Sequence, residues 1–148
     1  MNKGLFVDSN IFIESLKNIP TNRAVELIQL IFSDSENDYF INETVFSEVY
    51  YQLIVKGKLT SRQKENDLWE ILNVFFFLES NKEILLIARN FIKKNKLKPN
   101  DSLILASAIH YKLNGIITLD SDFVEVAKEE NIKVISTPDE LKSLTRGS

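Results

Sequence analysis

Residues 4–8 read Gly-Leu-Phe-Val-Asp, a short apolar run of strand length that ends on Asp8. An uninterrupted apolar run of this kind predicts a buried strand. The next apolar residues, Ile11, Phe12 and Leu16, recur at helical spacing, so a helix follows the strand directly. A buried strand followed at once by a helix is the first half of a parallel βα unit, and this stretch therefore predicts an α/β fold.

The same alternation of strand and helix continues along the chain. Further strands are predicted at residues 39–41, 74–78, 115–119 and 132–135. Helices are predicted over residues 22–31, 84–91, 101–109, 123–128 and 138–144. Two more are predicted, one from the cap residue Asn42 through Leu53 to a stop at Gly57, and one from Thr60 or Ser61 to Leu72. This order predicts a parallel sheet that is covered by helices on both faces.

The composition limits the class of protein and the kind of site. A chain of 148 residues, of which 44% are hydrophobic and 26% charged, fits one globular domain, and we expect residues 1–148 to form it. The chain contains no cysteine, which excludes disulfides, thiolate nucleophiles and zinc–thiolate sites. Its single histidine excludes a multi-histidine metal site within one chain. Any metal is therefore held mainly by oxygen atoms, which favours Mg²⁺ or Mn²⁺ over zinc.

Neither a membrane span nor general nucleic-acid coating is expected. No segment has the length and apolarity of a membrane span, and the first apolar run is too short for a signal peptide, so a cytoplasmic protein is expected. A net charge of −3 argues against binding nucleic acid by bulk electrostatics. A basic cluster nevertheless precedes Asp101, formed by Arg89, Lys93, Lys94, Lys96 and Lys98. It is either a solvated helix face and loop or a patch that contacts phosphates, and the sequence leaves both open.

Four acidic residues fall where an α/β protein places its functional site. In open α/β sheets that site lies beyond the carboxyl ends of the strands. Asp8 and Asp120 each end a predicted strand, and Asp101 stands at the start of a helix, whose dipole favours the ionised carboxylate. Glu48 lies in the helix after the strand at residues 39–41, near the same edge. We therefore expect the four carboxylates to converge.

Converging carboxylates require a counter-charge. Two of them about 5 Å apart repel by roughly 3 kcal/mol at an effective dielectric constant of about 20. A divalent metal ion is the natural counter-ion, and it can polarise a phosphodiester and lower the pKa of a bound water. Each acid alone has a structural alternative: Asp8 and Asp101 as helix caps, Asp120 as a turn residue, and Glu48 as a surface residue. The set, rather than any member, suggests in-line hydrolysis of a phosphate ester.

Four motifs resemble those of the PIN-domain family. Phe6-Val7-Asp8-Ser9-Asn10-Ile11-Phe12-Ile13 is similar to the opening of a PIN domain, and residues 41–48 resemble the second motif, with its acid at Glu48. Residues 100–108, which begin Asn-Asp-Ser-Leu, resemble the third motif, and residues 117–123 resemble the fourth. The motifs follow one another in order over nearly the whole chain. Two positions depart from the usual pattern: Asn42 replaces a common Ser or Thr, and Ser102 replaces Ala.

The resemblance implies a fold, an activity and a site. The fold is a three-layer α/β/α sandwich with a parallel sheet of about five strands, usually as a homodimer. The activity is that of a Mg²⁺- or Mn²⁺-dependent ribonuclease, and the commonest prokaryotic role is the VapC-type toxin, restrained by an antitoxin protein. Carried over by position, the catalytic and metal-binding acids are Asp8, Glu48, Asp101 and Asp120, with Asp122 ranked below them as a ligand through water. Asn10 would orient Asp8, and Thr118 would hydrogen-bond beside the site.

The mechanistic hypothesis assigns the four acids to one or two metal ions, and three other functions are considered beside it. Asp8 and Asp101 would hold one ion that could activate a water, while Glu48 and Asp120 would complete its shell or hold a second ion that could stabilise the leaving oxygen. His110 lies in an apolar helix and is expected to be a packed residue. The alternatives are a non-toxin PIN protein of RNA processing and a binding module without cleavage. A haloacid dehalogenase-like phosphatase is disfavoured because Asn10 stands where its second Asp is needed.

Overall fold

A computed structural model of the protein describes residues 3–59 and 62–146. Five strands form one sheet: β1 (Gly4–Val7), β2 (Asp38–Asn42), β3 (Phe76–Leu78), β4 (Gly115–Ile117) and β5 (Lys133–Ile135). All neighbouring strands are parallel, and their order is β3-β2-β1-β4-β5. The predicted α/β fold with a five-stranded parallel sheet flanked by helices is confirmed.

The helices connect the strands as the sequence pattern predicts. They are α1 (Ser9–Leu16), α2 (Asn22–Ser33), α3 (Glu43–Tyr50), α4 (Arg62–Asn73), α5 (Lys82–Asn95), α6 (Pro99–His110), α7 (Val124–Glu129) and α8 (Pro138–Arg146). The side chains of Asp8, Asn42 and Asn81 accept hydrogen bonds at the starts of α1, α3 and α5, respectively. The predicted helix start at Thr60 or Ser61 lies outside the described residues. No helix in the described ranges is long and apolar enough to cross a bilayer.

The strand order places the middle of the sheet at a switch in direction. From β1 the chain builds outward to β2 and β3, and it then returns to the other side of β1 for β4 and β5. Leu5, Phe6 and Val7 of β1 are fully buried between these neighbours. A crevice forms at such a switch point beyond the strand ends, so Asp8, directly after β1, lies where a functional site is expected.

The end of α3 differs from the predicted continuous helix. After Tyr50 the backbone widens into a π-helical segment, Tyr51–Val55, which we call the π-turn. Gly57 then adopts a φ of +72°, a left-handed conformation that costs glycine little, and the helix stops there as predicted.

The strand predicted at residues 74–78 is shorter and less covered than expected. β3 spans only Phe76–Leu78, and it lies at the edge of the sheet. Phe76 and Phe77 are 56% and 55% exposed, so the expected cover on both faces fails at this edge. Phe75 instead turns inward and packs edge-on against Phe12, with the ring centroids 5.0 Å apart. The continuous apolar run at residues 74–78 therefore belongs to an exposed edge strand and not to a buried central strand.

The start of one predicted helix and the end of one predicted strand, both near the acidic residues, also differ in the structure. α6 begins at Pro99, because proline lacks the N–H that the first helical position leaves unpaired anyway. Asp101 is therefore in the first turn of α6 and does not open it. β4 ends at Ile117, so Thr118 and Leu119 belong to the loop that leads to Asp120.

Candidate active site

An acidic cleft lies beyond the carboxyl ends of β1 and β4. It has a volume of about 310 Å³, and its lining includes Asp8, Glu48, Asp101 and Asp120. The structure thus brings together four acids that are separated by up to 112 residues of sequence, from Asp8 to Asp120. Their convergence is a geometric fact, whereas their catalytic roles stay predictions.

Asp8 is buried and held by hydrogen bonds on both carboxylate oxygens. Its Oδ1 accepts from the Ser9 amide at 2.6 Å and the Ser9 hydroxyl at 3.3 Å. Its Oδ2 accepts from the Thr118 hydroxyl at 2.7 Å and from Asn10 Nδ2 at 3.3 Å. Burial raises the pKa of Asp8 to about 6, and the Glu48 carboxylate adds to this rise, although the bonds from Thr118 and Ser9 oppose it.

Asn10 and Thr118 connect the end of β1 to the loop after β4. Asn10 Nδ2 donates to Thr118 Oγ1 at 3.0 Å, and Asn10 Oδ1 accepts from the Leu119 amide at 3.0 Å. Thr118 Oγ1 also accepts from the Asp120 amide at 3.0 Å. Both residues lie beside Asp8, where the sequence expects them, and their bonds also position the backbone of Asp120.

Asp101 is buried but only partly satisfied. Its Oδ2 accepts no hydrogen bond from any residue that the structure describes. Burial raises the pKa of Asp101 to about 6, with further increases from the charges of Asp120 and Asp8, while Lys98 acts in the opposite direction. An unpartnered buried polar atom ordinarily costs about 1–3 kcal/mol, so this oxygen is placed to accept a cation.

Asp122 lies closer to Asp101 and Asp120 than its lower place among the predicted metal ligands suggests. One carboxylate oxygen each of Asp101, Asp120 and Asp122 lies within 4.8 Å of the others. Lys98 Nζ is 3.1 Å from Asp122 Oδ2, and this contact raises the pKa of the lysine, as do the charges of Asp120 and Asp101. Asp122 was carried over only by its position in the fourth motif, and its two-residue spacing from Asp120 also fits an ordinary turn: the Asp122 amide donates to Asp120 Oδ1 at 2.9 Å.

Glu48 is oriented by a residue for which sequence reasoning assigned no role. Asn100 Nδ2 donates to Glu48 Oε2 at 2.8 Å, across 52 residues of sequence. Asn100 also lines the cleft. Its position directly before Asp101 in the third motif is the only local signal, and it does not indicate the contact with Glu48.

The basic cluster is not gathered at the acidic cleft. Of its five members only Lys98 lines the cleft in the described part of the chain, whereas Arg89, Lys93 and Lys94 are exposed on α5 and Lys96 caps its end. Lys94 borders a separate groove that also contains Glu129 and Glu130.

His110 lies away from the acids, at the other end of α6. Nine residues of helix separate it from Asp101, which corresponds to about 13 Å along the axis. Its Nδ1 is 3.4 Å from Glu83 Oε2, and its Nε2 is 3.1 Å from Asn81 Nδ2. His110 is half-buried in these polar contacts, which is consistent with a packed residue.

The donors in the cleft suit a hard divalent cation. Carboxylate oxygens predominate, and one of them is buried without a hydrogen-bond partner among the described residues. Mg²⁺ and Mn²⁺ prefer such oxygen ligands and keep several waters when bound. The residues therefore fit the kind of ion that the composition favours.

Sequence comparison identifies a matching family and two curated relatives. The PIN domain model matches residues 5–129. Ribonuclease VapC2 of Methanocaldococcus jannaschii is 32% identical over 88% of this chain and 93% of the relative. Ribonuclease VapC6 of the same organism is 29% identical over 84% of this chain and 97% of the relative.

Solved structures show the same fold at low identity. A toxin–antitoxin complex from Klebsiella pneumoniae matches with a TM-score of 0.68 and 20% identity, over 90% of this chain and 97% of that one. VapBC2 from Rickettsia felis, bound to a DNA fragment from their promoter, matches with a TM-score of 0.65 and 17% identity, over 88% and 96%. PAE2754 from Pyrobaculum aerophilum matches with a TM-score of 0.64 and 17% identity, over 97% and 98%. At these identities the likeness concerns the fold alone.

Proposed function

Because the chain belongs to the PIN-domain family, we propose that it is a metal-dependent endoribonuclease that hydrolyses RNA phosphodiester bonds in the acidic cleft. The observation that carries the proposal is the convergence of Asp8, Glu48, Asp101 and Asp120 around one buried, unpartnered carboxylate oxygen. The names of the two curated relatives, both ribonucleases, support RNA as the substrate.

The four acids would hold one or two ions of Mg²⁺ or Mn²⁺, with Asp122 as a further ligand through water. When bound, such an ion lowers the pKa of a water and offsets the negative charge that develops on the phosphate. Asp101 Oδ2 is the atom best placed to bind a cation, since it accepts no hydrogen bond from the described residues and the acids near it outnumber the one cation, Lys98.

The chain itself orients the ligand oxygens before any ion arrives. Thr118 and Asn10 fix Oδ2 of Asp8, and the Ser9 amide fixes Oδ1. Asn100 holds the Glu48 carboxylate in the same way. Outer hydrogen bonds of this kind commonly contribute about 10–100-fold to metal affinity or activity. Lys98, at the rim, exchanges its contact with Asp122 for a phosphate of the RNA, and the other members of the basic cluster contact the flanking backbone.

We further propose that the protein is the toxin of a toxin–antitoxin pair and forms a homodimer. The VapC names of its relatives and the toxin–antitoxin assemblies among its structural neighbours favour this role. Large apolar side chains exposed on β3 and α5 offer surface for a second copy or an antitoxin: Phe76, Phe77, Leu85, Leu86 and Ile92. A non-toxin PIN protein of RNA processing shares the same cleft, and growth arrest on expression separates the two.

Cleavage of a mixed RNA panel tests the activity. Wild type, Asp8→Asn and Asp101→Asn are purified identically and assayed with Mn²⁺, with Mg²⁺ and with EDTA. We expect cleavage by wild type only, and only with metal. Equal cleavage by all three proteins would mean a contaminating nuclease, and RNA binding without cleavage by any of them would favour the binding-module alternative.

A further inference from the structure

A second groove opens directly from the acidic cleft. It has a volume of about 690 Å³, and its lining includes Glu43, Ser47, Tyr51 and Gln52. Glu48 and Asn100 line both the groove and the cleft. A chain molecule that lies in the cleft can therefore extend into this groove without leaving the protein surface.

The π-turn supplies the aromatic side of the groove. The Tyr51 amide donates to the carbonyls of both Glu48 and Ser47 at the point where α3 widens. Leu53 of the same segment is fully buried, whereas Tyr51 is 48% exposed. π-helical turns are rare and occur frequently at functional sites, because they change which side chains a helix presents. The widened turn thus combines a buried anchor with an exposed aromatic ring beside the cleft.

The chemistry of the groove suits a nucleobase and disfavours a phosphate. Glu43 and Glu48 repel an anion, and Glu43, which is not among the proposed metal ligands, can accept from the amino groups of cytosine, adenine or guanine. The exposed face of a tyrosine ring stacks on any base. Lys56 Nζ lies over the Tyr51 ring, 5.6 Å from its centroid, so a base that stacks on this ring uses the other face or displaces the lysine.

We infer that this groove binds the base of a nucleotide next to the scissile phosphate of single-stranded RNA, with that base stacked on Tyr51. The inference rests on the proposed function and assigns Tyr51 a role in holding the substrate. A base in a duplex is already stacked and paired, so only an unpaired nucleotide can place its base on the Tyr51 ring. Tyr51 is accordingly a residue for substrate binding and selection, separate from the metal-binding acids.

Stacking is tested by binding, without the need for cleavage. The probe is a short single-stranded RNA of mixed sequence that carries one 2-aminopurine, whose fluorescence falls when it stacks. Asp101→Asn in EDTA serves as the parent, and Tyr51→Ala and Tyr51→Phe are added to it. We expect Tyr51→Ala to weaken binding about tenfold or more and to abolish the fluorescence change, while Tyr51→Phe retains both.

Matched controls separate stacking from general damage. Tyr111→Ala removes another exposed tyrosine, after the end of α6 opposite Asp101, and is expected to leave the fluorescence change intact. Thermal melting checks that Tyr51→Ala still folds. Unchanged binding and quenching in a folded Tyr51→Ala protein would overturn the inference, and so would equal Tyr51 dependence with duplex RNA.

The outcome is distinguishable from a failure of the nuclease proposal. Metal-dependent cleavage that is insensitive to Tyr51→Ala in both KM and kcat would leave the nuclease intact and remove the base site. Quenching that depends on Tyr51 in a protein that cleaves no RNA would keep the base site and remove the nuclease.

Discussion

The two central aspartates of the cleft, Asp8 and Asp101, are both buried, and burial raises the pKa of each to about 6, but their surroundings differ. Asp8 accepts hydrogen bonds on both oxygens, from Ser9, Asn10 and Thr118. Asp101 has a buried oxygen that accepts no hydrogen bond from any described residue, and its charged neighbours are mostly acids. The Asp8 side of the cleft is therefore organised by the chain itself, whereas the Asp101 side is where we propose that a cation binds.

Replacing Asp8 or Asp101 by asparagine should give the largest effects on RNA cleavage and the clearest difference in stability. Both Asp8→Asn and Asp101→Asn should reduce metal-dependent RNA cleavage by on the order of 10³-fold, because each removes a charged ligand. Their effects on stability in EDTA should have opposite signs. Asp8→Asn loses about 1–3 kcal/mol because its amide nitrogen cannot accept from the existing donors, whereas Asp101→Asn removes an unpaired buried charge and stabilises the fold.

Urea unfolding in EDTA measures that difference. Ser102→Ala, next to Asp101 on α6, serves as a control for changes in the helix that leave the carboxylates in place. A loss of stability in Asp101→Asn that equals the loss in Asp8→Asn would show that the two sides are organised alike.

The pH dependence of stability sharpens the same comparison. Each carboxyl has an ordinary pKa of 3.8 and a folded pKa of about 6, so the folded protein binds more protons between these values. Without metal, the free energy of unfolding should therefore fall as the pH rises from about 4 to 6, by on the order of 3 kcal/mol per group. Saturating Mn²⁺ should reverse the fall above pH 6, since the ion binds the deprotonated form.

Thermal unfolding as a function of pH, with EDTA or with Mn²⁺, tests this dependence. Asp101→Asn should remove part of the slope in EDTA and most of the stabilisation by Mn²⁺. A slope that is unchanged in this variant would assign the proton uptake to other groups.

Thr118 offers a way to disturb the Asp8 side without removing a ligand. Thr118→Val deletes the hydroxyl that donates to Asp8 and accepts from the Asp120 amide. We expect a loss of about 1–3 kcal/mol of stability and of about 10–100-fold in cleavage, with a higher Mn²⁺ requirement. Thr118→Ser keeps the hydroxyl and should recover most of the activity. Failure of this rescue would indicate a packing defect.

The smallest effect, on RNA binding, is expected for Lys98 at the rim of the acidic cleft. Lys98→Ala removes the cation next to Asp122 and should weaken RNA binding a few-fold, with a salt dependence flatter by about 0.7 in log–log slope. Lys93→Ala on α5 is the matched comparison, since it lies outside the cleft lining. Filter binding over a range of salt concentrations measures both. Equal effects would favour one continuous phosphate-contacting patch, and no effect at either lysine would favour the solvated face.

Much of the fold could be predicted because strands and helices here carry local signals. The buried strand before Asp8 and the helical spacing after it lie within a few residues of each other, and the parallel order follows from their alternation. Where the local signal is ambiguous, the predicted strand was confirmed, but its length and its exposure were not predicted. The apolar run at residues 74–78 fits a central strand as well as an edge strand, and only the sheet order shows that Phe76 and Phe77 are exposed.

By itself the sequence determined the α/β class, the oxygen-rich donor set and the family, because these depend on residue type, spacing and motif order. The tertiary structure alone decided which atoms meet. The bond from Thr118 to Asp8 spans 110 residues, and the bond from Asn100 to Glu48 spans 52. It also left Asp101 Oδ2 without a hydrogen bond from the described residues, brought Asp122 close to Asp101 and Asp120, and kept all of the basic cluster except Lys98 away from the cleft lining. These features depend on distances across the sheet and on burial, which no short stretch of chain encodes.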